Sequence, residues 1–205
     1  MPVSPVVPPC EPVSRWSPLM PPQDGYRAED LDRIPDLPPH TELIDGSLVI
    51  VSPQKRFHMH MLRLLETQLL EQAPEGLEVI REMTVVLGER QRPEPDLMLI
   101  DARTEYGMDA TWIRAEDVRL AVEVVSPESE IRDRRRKPQL YAQADIPHLW
   151  LVEQERGSLA TVHVYRLDPV NRSYTHTGSH RDRLKTDTPC DLDIDLTWTP
   201  RSRRG

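Results

Sequence analysis

The sequence predicts one domain built on a mixed β-sheet flanked by helices, an α/β (α+β) fold. The chain has 205 residues, a length that suits a single domain with a sizeable core. An amphipathic helical pattern at residues 55–72 precedes three strand patterns, and a second helical segment at 131–144 leads into another strand. The order from residue 55 is therefore helix, strand, strand, strand, helix, strand, which favours a sheet with helices packed on it.

The two ends of the chain differ in composition from the middle. Eight of the 21 prolines fall within the first 22 residues, so residues 1–25 are expected to form a flexible, proline-rich tail. Residues 28–34 fit a short helix that ends at Pro35. The basic residues 198–205 are expected to be frayed, which leaves 26–197 as the folded domain.

Turn and periodicity signals predict the elements in order. An Asp-Gly pair between two apolar runs predicts a hairpin at residues 41–52. The helix at 55–72 ends before Pro74 and Gly76. Its apolar face consists of Phe57, Met61, Leu64, Leu65 and Leu69.

Four apolar segments are predicted to be strands of the sheet: 77–87, 96–100, 119–125 and 148–153. The helix at 131–144 connects the last two, and a crossover of this kind makes the strands that it joins parallel. A second hairpin is expected from 160–166 and 173–178, which flank Asp168, Pro169 and Asn171.

Charge and composition argue against several classes of protein. The net charge is −8, whereas a protein that binds nucleic acid through bulk charge is usually basic, so phosphate contacts must come from a local patch or bound cations. Cys10 and Cys190 do not suggest a disulfide framework or a zinc site. No stretch approaches the roughly 18 apolar residues of a membrane span, and the start lacks a secretory pattern. A cytoplasmic protein without membrane contact is expected.

Glu123 is the first candidate site residue, because it lies inside the apolar run 120–125. Burying an unpaired carboxylate costs several kcal/mol or shifts its pKa, so a cation or a firm hydrogen-bond partner is expected. The alternative is a structural arginine partner or a solvated strand end. Asp96 opens a strand after Pro95, where an acid is often only turn chemistry. If the two strands are neighbours, both carboxylates could converge on one hard cation such as magnesium.

The run 132–137 contains four arginines and a lysine within six residues, in an otherwise acidic protein. It is either a solvated basic helix face or a phosphate-facing patch beside the carboxylates. Because Lys137 precedes Pro138, the helix either starts near Lys137 or is kinked there.

Several short runs, in this order and spacing, resemble the Uma-type family of putative restriction endonucleases, which belongs to the PD-(D/E)XK nuclease superfamily. The runs span roughly residues 25–197, and they are Glu42–Gly46 (ELIDG), Arg92–Asp96 (RPEPD), Glu123–Pro127 (EVVSP), Arg132–Lys137 (RDRRRK), Tyr141, Pro147 and Trp150–Val152 (WLV). The resemblance implies a restriction-endonuclease-like core with an added N-terminal hairpin.

The resemblance also implies roles. Asp96 and Glu123, with the carbonyl of Val124, would bind catalytic magnesium, for which manganese would substitute. Val125 occupies the superfamily's usual lysine position, and Lys137 on the following helix is the family-matched replacement.

Other matched positions have less specific roles. Glu42 would reach the site from the hairpin, and His58 and Tyr141 would touch phosphate or water. From the residues themselves, Arg134, Arg135 and Arg136 would position a DNA backbone without reading its sequence.

These observations favour a magnesium-dependent endonuclease that hydrolyses phosphodiester bonds of DNA, and the family resemblance adds homodimerisation as an expectation. Two alternatives remain open. One is a catalytically silent nucleic-acid or protein-interaction module with the same fold, and the other is a nuclease that acts on RNA.

Overall fold

The structure is a computed structural model that describes residues 21–51, 53–155 and 160–197. The expectations for residues 1–20 and for 198–205 lie outside the described residues. A short 3-10 helix, Ala28–Asp32, confirms the predicted helical turn before Pro35. No helix among the described residues is long and apolar enough to cross a membrane.

The first hairpin is confirmed. Strands β1 (Thr41–Ile44) and β2 (Ser47–Ile50) pair antiparallel around Asp45 and Gly46. Both turn residues have positive φ, 54° and 75°, as a two-residue type I′ turn requires. Helix α1 (Arg56–Gln72) follows, and its predicted apolar face is buried apart from the partly exposed Phe57.

The remaining elements are listed here in chain order: β3 (Leu77–Arg81), β4 (Thr84–Val86), β5 (Leu97–Asp101), β6 (Trp112–Arg114), β7 (Val118–Val124), α2 (Lys137–Gln143), β8 (His148–Gln154), β9 (Ala160–Asp168), β10 (Ser173–His180), β11 (Arg183–Thr186) and β12 (Leu192–Asp195). A 3-10 turn, Ala115–Asp117, precedes β7, and a π-helical turn, Arg132–Arg136, leads directly into α2.

Six strands form the main sheet in the order β10-β9-β8-β7-β5-β3. Strands β7 and β8 are parallel, as predicted for strands joined by a helical crossover, and the other neighbours in this sheet are antiparallel. The strands of the main sheet and the two helices thus follow the predicted order from residue 55. The hairpin of β9 and β10 is also confirmed.

Three parts of the strand prediction need correction. The segment 77–87 is two strands rather than one, because the chain turns at Glu82, where φ is 49°. Strand β4 leaves the main sheet and pairs in parallel with β6, a strand that the sequence did not indicate. The hairpin of β11 and β12 was also missed, since its strands are only four residues long and mostly polar.

The main sheet is covered on both faces. Helix α1 and the β11–β12 hairpin pack on one face with Val122 and Val124, while α2 packs on the other face with Ala121. Because side chains alternate along a strand, Glu123 lies on the α2 face of β7.

Candidate active site

Asp96 and Glu123 meet at one end of the neighbouring strands β5 and β7. The register pairs Leu97 with Val122, so Asp96 and Glu123 follow as the next opposed residues. The backbone N–H of Val124 donates to Oδ2 of Asp96 at 2.5 Å. The condition set by the sequence, that these two strands be neighbours, is therefore met.

Glu123 is buried, with 1% of its surface exposed. Its Oε2 lies 2.8 Å from Nζ of Lys137, and its Oε1 accepts a hydrogen bond from the hydroxyl of Tyr141 at 2.5 Å. Both partners come from α2. The alternatives of a structural arginine and of a solvated strand end are therefore wrong, because the partner is a buried lysine.

Lys137 reaches the site through a π-helical turn. Its backbone N–H bonds to the carbonyl of Arg132, five residues earlier, and helical backbone is continuous from this turn into α2. Pro138 then lies in the first turn of α2, where its missing N–H is tolerated. The wider turn resolves the register that the sequence left open.

Three carboxylates surround the ammonium group of Lys137. Its Nζ lies 2.6 Å from Oε1 of Glu42, 2.8 Å from Glu123 and 3.7 Å from Oδ1 of Asp133. It also donates to the carbonyl of Glu94 at 3.3 Å. We call Glu42, Glu94, Glu123, Asp133 and Lys137 the Lys137 cluster.

Glu42 joins the hairpin to this cluster from β1, as predicted. It is 1% exposed, and its Oε1 accepts a hydrogen bond from the backbone N–H of Glu94 at 3.0 Å. Its Oε2 lies 3.2 Å from Nε of Arg132, although the two atoms do not have hydrogen-bond geometry. Arg132 therefore adds a second cation beside the cluster.

Burial and like charge shift the ionisation of the cluster. Burial raises the pKa of Glu123 well above its usual value, and Lys137 opposes this rise. For Lys137, burial alone would lower the pKa, but Glu123 and Glu42 outweigh it and raise the pKa well above the ordinary value. Burial also raises the pKa of Asp133 and, well above its usual value, that of Tyr141. Lys137 is consequently a firmly protonated hydrogen-bond donor.

His58 contributes from the opposite side. It lies in the first turn of α1, and its Nε2 is 2.8 Å from Oδ1 of Asp96. Its Nδ1 is buried and makes no hydrogen bond within the part of the chain that the structure describes. His58 thus orients Asp96 through Nε2.

These residues line a cavity of about 320 Å³, which we call the site cavity. Its ionisable lining residues are His40, Glu42, His58, Glu82, Glu94, Asp96, Glu123, Arg132, Asp133 and Lys137. Six carboxylates therefore face two permanent cations. Among the residues that the structure describes, none donates a hydrogen bond to the buried Oε2 of Glu42 or the buried Oδ1 of Asp133.

The donor set fits a hard divalent cation. Asp96, Glu123 and the carbonyl of Val124 offer oxygen ligands, which Mg²⁺ prefers. Each ionised carboxylate oxygen has about two lone-pair sites, so the present hydrogen bonds leave room for coordination. Within residues 21–51, 53–155 and 160–197, no three histidine, cysteine, aspartate or glutamate side chains form a group that could hold a metal. The predicted set does not need a third side chain, because its third ligand is a carbonyl.

Comparison with known proteins identifies the family. The family model Uma2, described as "putative restriction endonuclease", matches residues 28–197. This chain belongs to the Uma2 family. Residues 28–197 include both the hairpin acid Glu42 and the strand acids Asp96 and Glu123, so the resemblance found in the sequence is confirmed.

A solved structure shares the fold of this Uma2-family chain. It is described as a putative nuclease belonging to DUF820 from Anabaena variabilis, with a TM-score of 0.53 and 17% identity. The alignment covers 75% of this chain and 82% of that one. The restriction-endonuclease-like fold class is thereby confirmed. No curated protein matches the chain.

The arginines of the basic run 132–137 have different partners and line different cavities in this Uma2-family chain. Arg134 binds Glu153 at 2.8 and 2.7 Å, and Arg136 binds Asp45 of the hairpin turn. Arg134 and Arg135 line a separate cavity of about 400 Å³ beyond α2. The run is therefore not one uniform patch beside the carboxylates, and the arginine at the site cavity is Arg132.

Five ionisable residues of the site cavity were not singled out from the sequence: His40, Glu82, Glu94, Arg132 and Asp133. Glu94 lies between two prolines in the run before Asp96, which was a local signal for a fixed backbone. Asp133 precedes Lys137 by four residues, the spacing of a helical ion pair. His40 has no comparable signal, since only the fold brings it to Glu94.

Proposed function

We propose that this chain is a magnesium-dependent nuclease that hydrolyses phosphodiester bonds of DNA. The observation that carries the proposal is the ammonium group of Lys137, held 2.8 Å from Glu123 on the cavity that Asp96 also lines. Membership of a family described as putative restriction endonucleases supports the same activity.

Asp96, Glu123 and the carbonyl of Val124 would hold the cation. When bound, Mg²⁺ supplies charge neutralisation at the phosphate and lowers the pKa of a water. The surplus of carboxylates at the site cavity favours such a cation, because like charges held close together repel strongly in a low-dielectric site.

Lys137 has a defined task in this scheme. Because its pKa is raised well above the ordinary value, the ammonium keeps its proton and does not act as a base. It would donate hydrogen bonds to the phosphate or to the attacking water and stabilise the negative charge of the transition state. Glu42 and Tyr141 hold Lys137 and Glu123 in place.

Cleavage assays test the proposal directly. The full-length protein is incubated with supercoiled plasmid, single-stranded DNA or RNA, in Mg²⁺, Mn²⁺ or EDTA. We expect DNA cleavage with either metal, no cleavage in EDTA, and loss of cleavage in Glu123→Gln. Glu130→Gln, on the exposed face beside Arg134, is the matched control and should cleave normally.

Other outcomes of these assays would change the proposal in different ways. Cleavage of RNA alone would replace DNA as the substrate. Equal cleavage by wild type and Glu123→Gln would remove the site assignment. Calorimetry with Mn²⁺ separates binding from turnover, since metal binding that Glu123→Gln abolishes, without cleavage of any substrate, would indicate the catalytically silent module.

A further inference from the structure

His40 and Glu94 form a second hydrogen-bonded pair at the site cavity. Nδ1 of His40 lies 2.6 Å from Oε1 of Glu94, and both residues line the cavity with Asp96, Glu123 and Lys137. The His40 side chain is 51% exposed, whereas that of Glu94 is only 13% exposed. The imidazole thus lies at the boundary between the buried cluster and solvent.

Glu94 is held in place on both sides of its backbone. Its N–H donates to Glu42 at 3.0 Å, and its carbonyl accepts from Lys137 at 3.3 Å. The carboxylate that orients His40 is consequently fixed relative to the ammonium group of Lys137. A shift of Lys137 would therefore also disturb the contact between Glu94 and His40.

The backbone also places His40. It has a φ of 58°, a left-handed conformation, immediately before β1 begins at Thr41. The hydroxyl of Thr41 donates to the carbonyl of Pro38 at 2.6 Å and closes this turn. The ring atom Nε2 of His40 makes no hydrogen bond to a described residue, so it is free to meet a substrate.

Hydrolysis of a phosphodiester requires a proton for the alkoxide that leaves. Lys137 is enclosed by carboxylates, and Tyr141 is bound to Glu123, so neither gives up its proton readily. His58 is buried and is hydrogen-bonded to Asp96. Among the described residues that line the cavity, His40 combines exposure, a fixed orienting carboxylate and a nitrogen without a partner.

We propose that His40 is the general acid of the reaction, oriented by Glu94. This inference rests on the proposed nuclease function. Water oxygen forms a bond to phosphorus and the bond from phosphorus to the ester oxygen breaks. The imidazolium Nε2–H gives its proton to that departing oxygen, the proton of the attacking water passes to solvent, and His40 regains a proton from solvent.

The electrostatics agree with this role. The hydrogen bond to Glu94 raises the pKa of His40, with a further contribution from Glu82, while partial burial and Arg81 oppose the rise. A raised pKa keeps more of the imidazole protonated around neutral pH, which suits a residue that must give up a proton. The rate should fall as pH rises through this pKa, because the protonated form is the active one.

His40→Asn provides a test with little risk to the fold. Asparagine tolerates the left-handed conformation and can keep a hydrogen bond to Glu94, but it cannot give up a proton. We expect DNA cleavage to fall by about 10²-fold or more, and the alkaline limb of the pH–rate profile to disappear. His176→Asn, at an exposed position on β10, is the matched control and should leave both unchanged.

A second substrate distinguishes proton donation from positioning. The p-nitrophenyl ester of thymidine 5′-phosphate releases a stable anion that needs no proton, so His40→Asn should cleave it within about threefold of wild type. Equal losses on DNA and on this ester, or DNA cleavage within about threefold of wild type, would overturn the inference. If wild type cleaves DNA but not the ester, the pH–rate profile of DNA cleavage distinguishes the two roles: an alkaline limb that persists in His40→Asn would overturn the inference. Absence of DNA cleavage by wild type would instead contradict the proposed function.

Discussion

Arg92 and Lys137 are equally buried, each with 3% of its surface exposed, yet their surroundings differ. Arg92 donates to both carboxylate oxygens of Asp32 at 2.7 and 2.9 Å. Its other donors reach the hydroxyl of Thr84, the carbonyl of Ala28 and both oxygen acceptors of Thr111. We call these five residues the Arg92 cluster.

The two clusters differ in their balance of positive and negative charge. In the Arg92 cluster one cation meets one carboxylate, and each guanidinium nitrogen has a partner. In the Lys137 cluster one ammonium faces three carboxylates, and buried oxygens of Glu42 and Asp133 have no hydrogen-bond donor within the described part of the chain. A satisfied buried ion pair is typical of structural support, whereas surplus charge beside a cavity is typical of a site that binds a ligand.

The largest expected effect is on turnover. Lys137→Ala should reduce magnesium-dependent cleavage by about 10²-fold or more, the scale of a lost charge-stabilising donor. Affinity for Mn²⁺ should change little, because lysine is not a ligand. Initial rates and calorimetry measure the two quantities. Lys185→Ala, an exposed lysine on β11, is the control, and unchanged cleavage in Lys137→Ala would refute the assignment.

Arg135→Ala sharpens that result, because it should affect binding rather than chemistry. We expect weaker, salt-dependent DNA binding with turnover at saturation unchanged. Fluorescence anisotropy at several salt concentrations measures the effect. A loss of turnover at saturating DNA would instead place Arg135 in the chemistry.

Arg92→Ala should act on stability. Removing the guanidinium breaks the ion pair with Asp32, which keeps a hydrogen bond from the hydroxyl of Thr111, and because Asp32 is partly exposed we expect a loss of about 2 kcal/mol. The melting temperature should fall by about 4–8 °C, while cleavage by the folded protein changes by less than about twofold. A large loss of turnover without destabilisation would erase the contrast between the clusters.

The same variant has a pH signature. The hydrogen bond from Arg92 lowers the pKa of Asp32, so the pair stabilises the fold above the usual carboxyl range and this contribution is lost as pH falls through the lowered pKa. The stability difference between wild type and Arg92→Ala should therefore narrow below about pH 4. Denaturant unfolding at several pH values measures it. A constant difference would show that packing, and not the charge, is responsible.

Glu123→Gln should have a smaller effect on stability. The metal-free variant loses one surplus charge while Lys137 keeps Glu42, so its stability should stay within about 1 kcal/mol of wild type. Its melting temperature should change by less than about 4 °C. A fall comparable to that of Arg92→Ala would indicate that the Lys137 cluster is structural as well.

The smallest effect is expected from removing residues 1–24. The Arg92 cluster begins at Ala28, and Tyr26 is the first buried residue of the described chain, so the core contacts remain. A chain that begins at Gly25 should melt within about 5 °C of full length. A larger fall would show that the removed segment stabilises the core.

Much of the fold can be predicted from local patterns, because Asp45-Gly46 encodes the turn of the first hairpin and the apolar run around Glu123 is typical of a central strand. Strands β4, β6, β11 and β12 could not, since three or four residues with mixed polarity carry little periodic signal.

The residues of the two clusters and the site likewise fall into those that the sequence indicates and those that only long-range contacts bring together. Glu123 and Lys137 are conspicuous as a buried acid and a family-matched cation. Arg92 belongs to a motif run, but its structural role depends on Asp32 and Thr111, which are distant in sequence. His40 likewise enters the site only through a contact with Glu94, 54 residues away. Long-range pairings of this kind leave no local pattern to read.

The π-helical turn at Arg132–Arg136 has a consequence for how this segment can vary. An α-helix advances by about 100° per residue, so the wider turn sets the angular phase of Arg132 and Asp133 relative to Lys137. Deleting one residue from the turn would leave the four-residue spacing of an α-helix between Arg132 and Lys137, and it would change the positions of the residues inside the turn relative to Lys137. Variation in this segment must therefore preserve its length as well as the residues that reach the site.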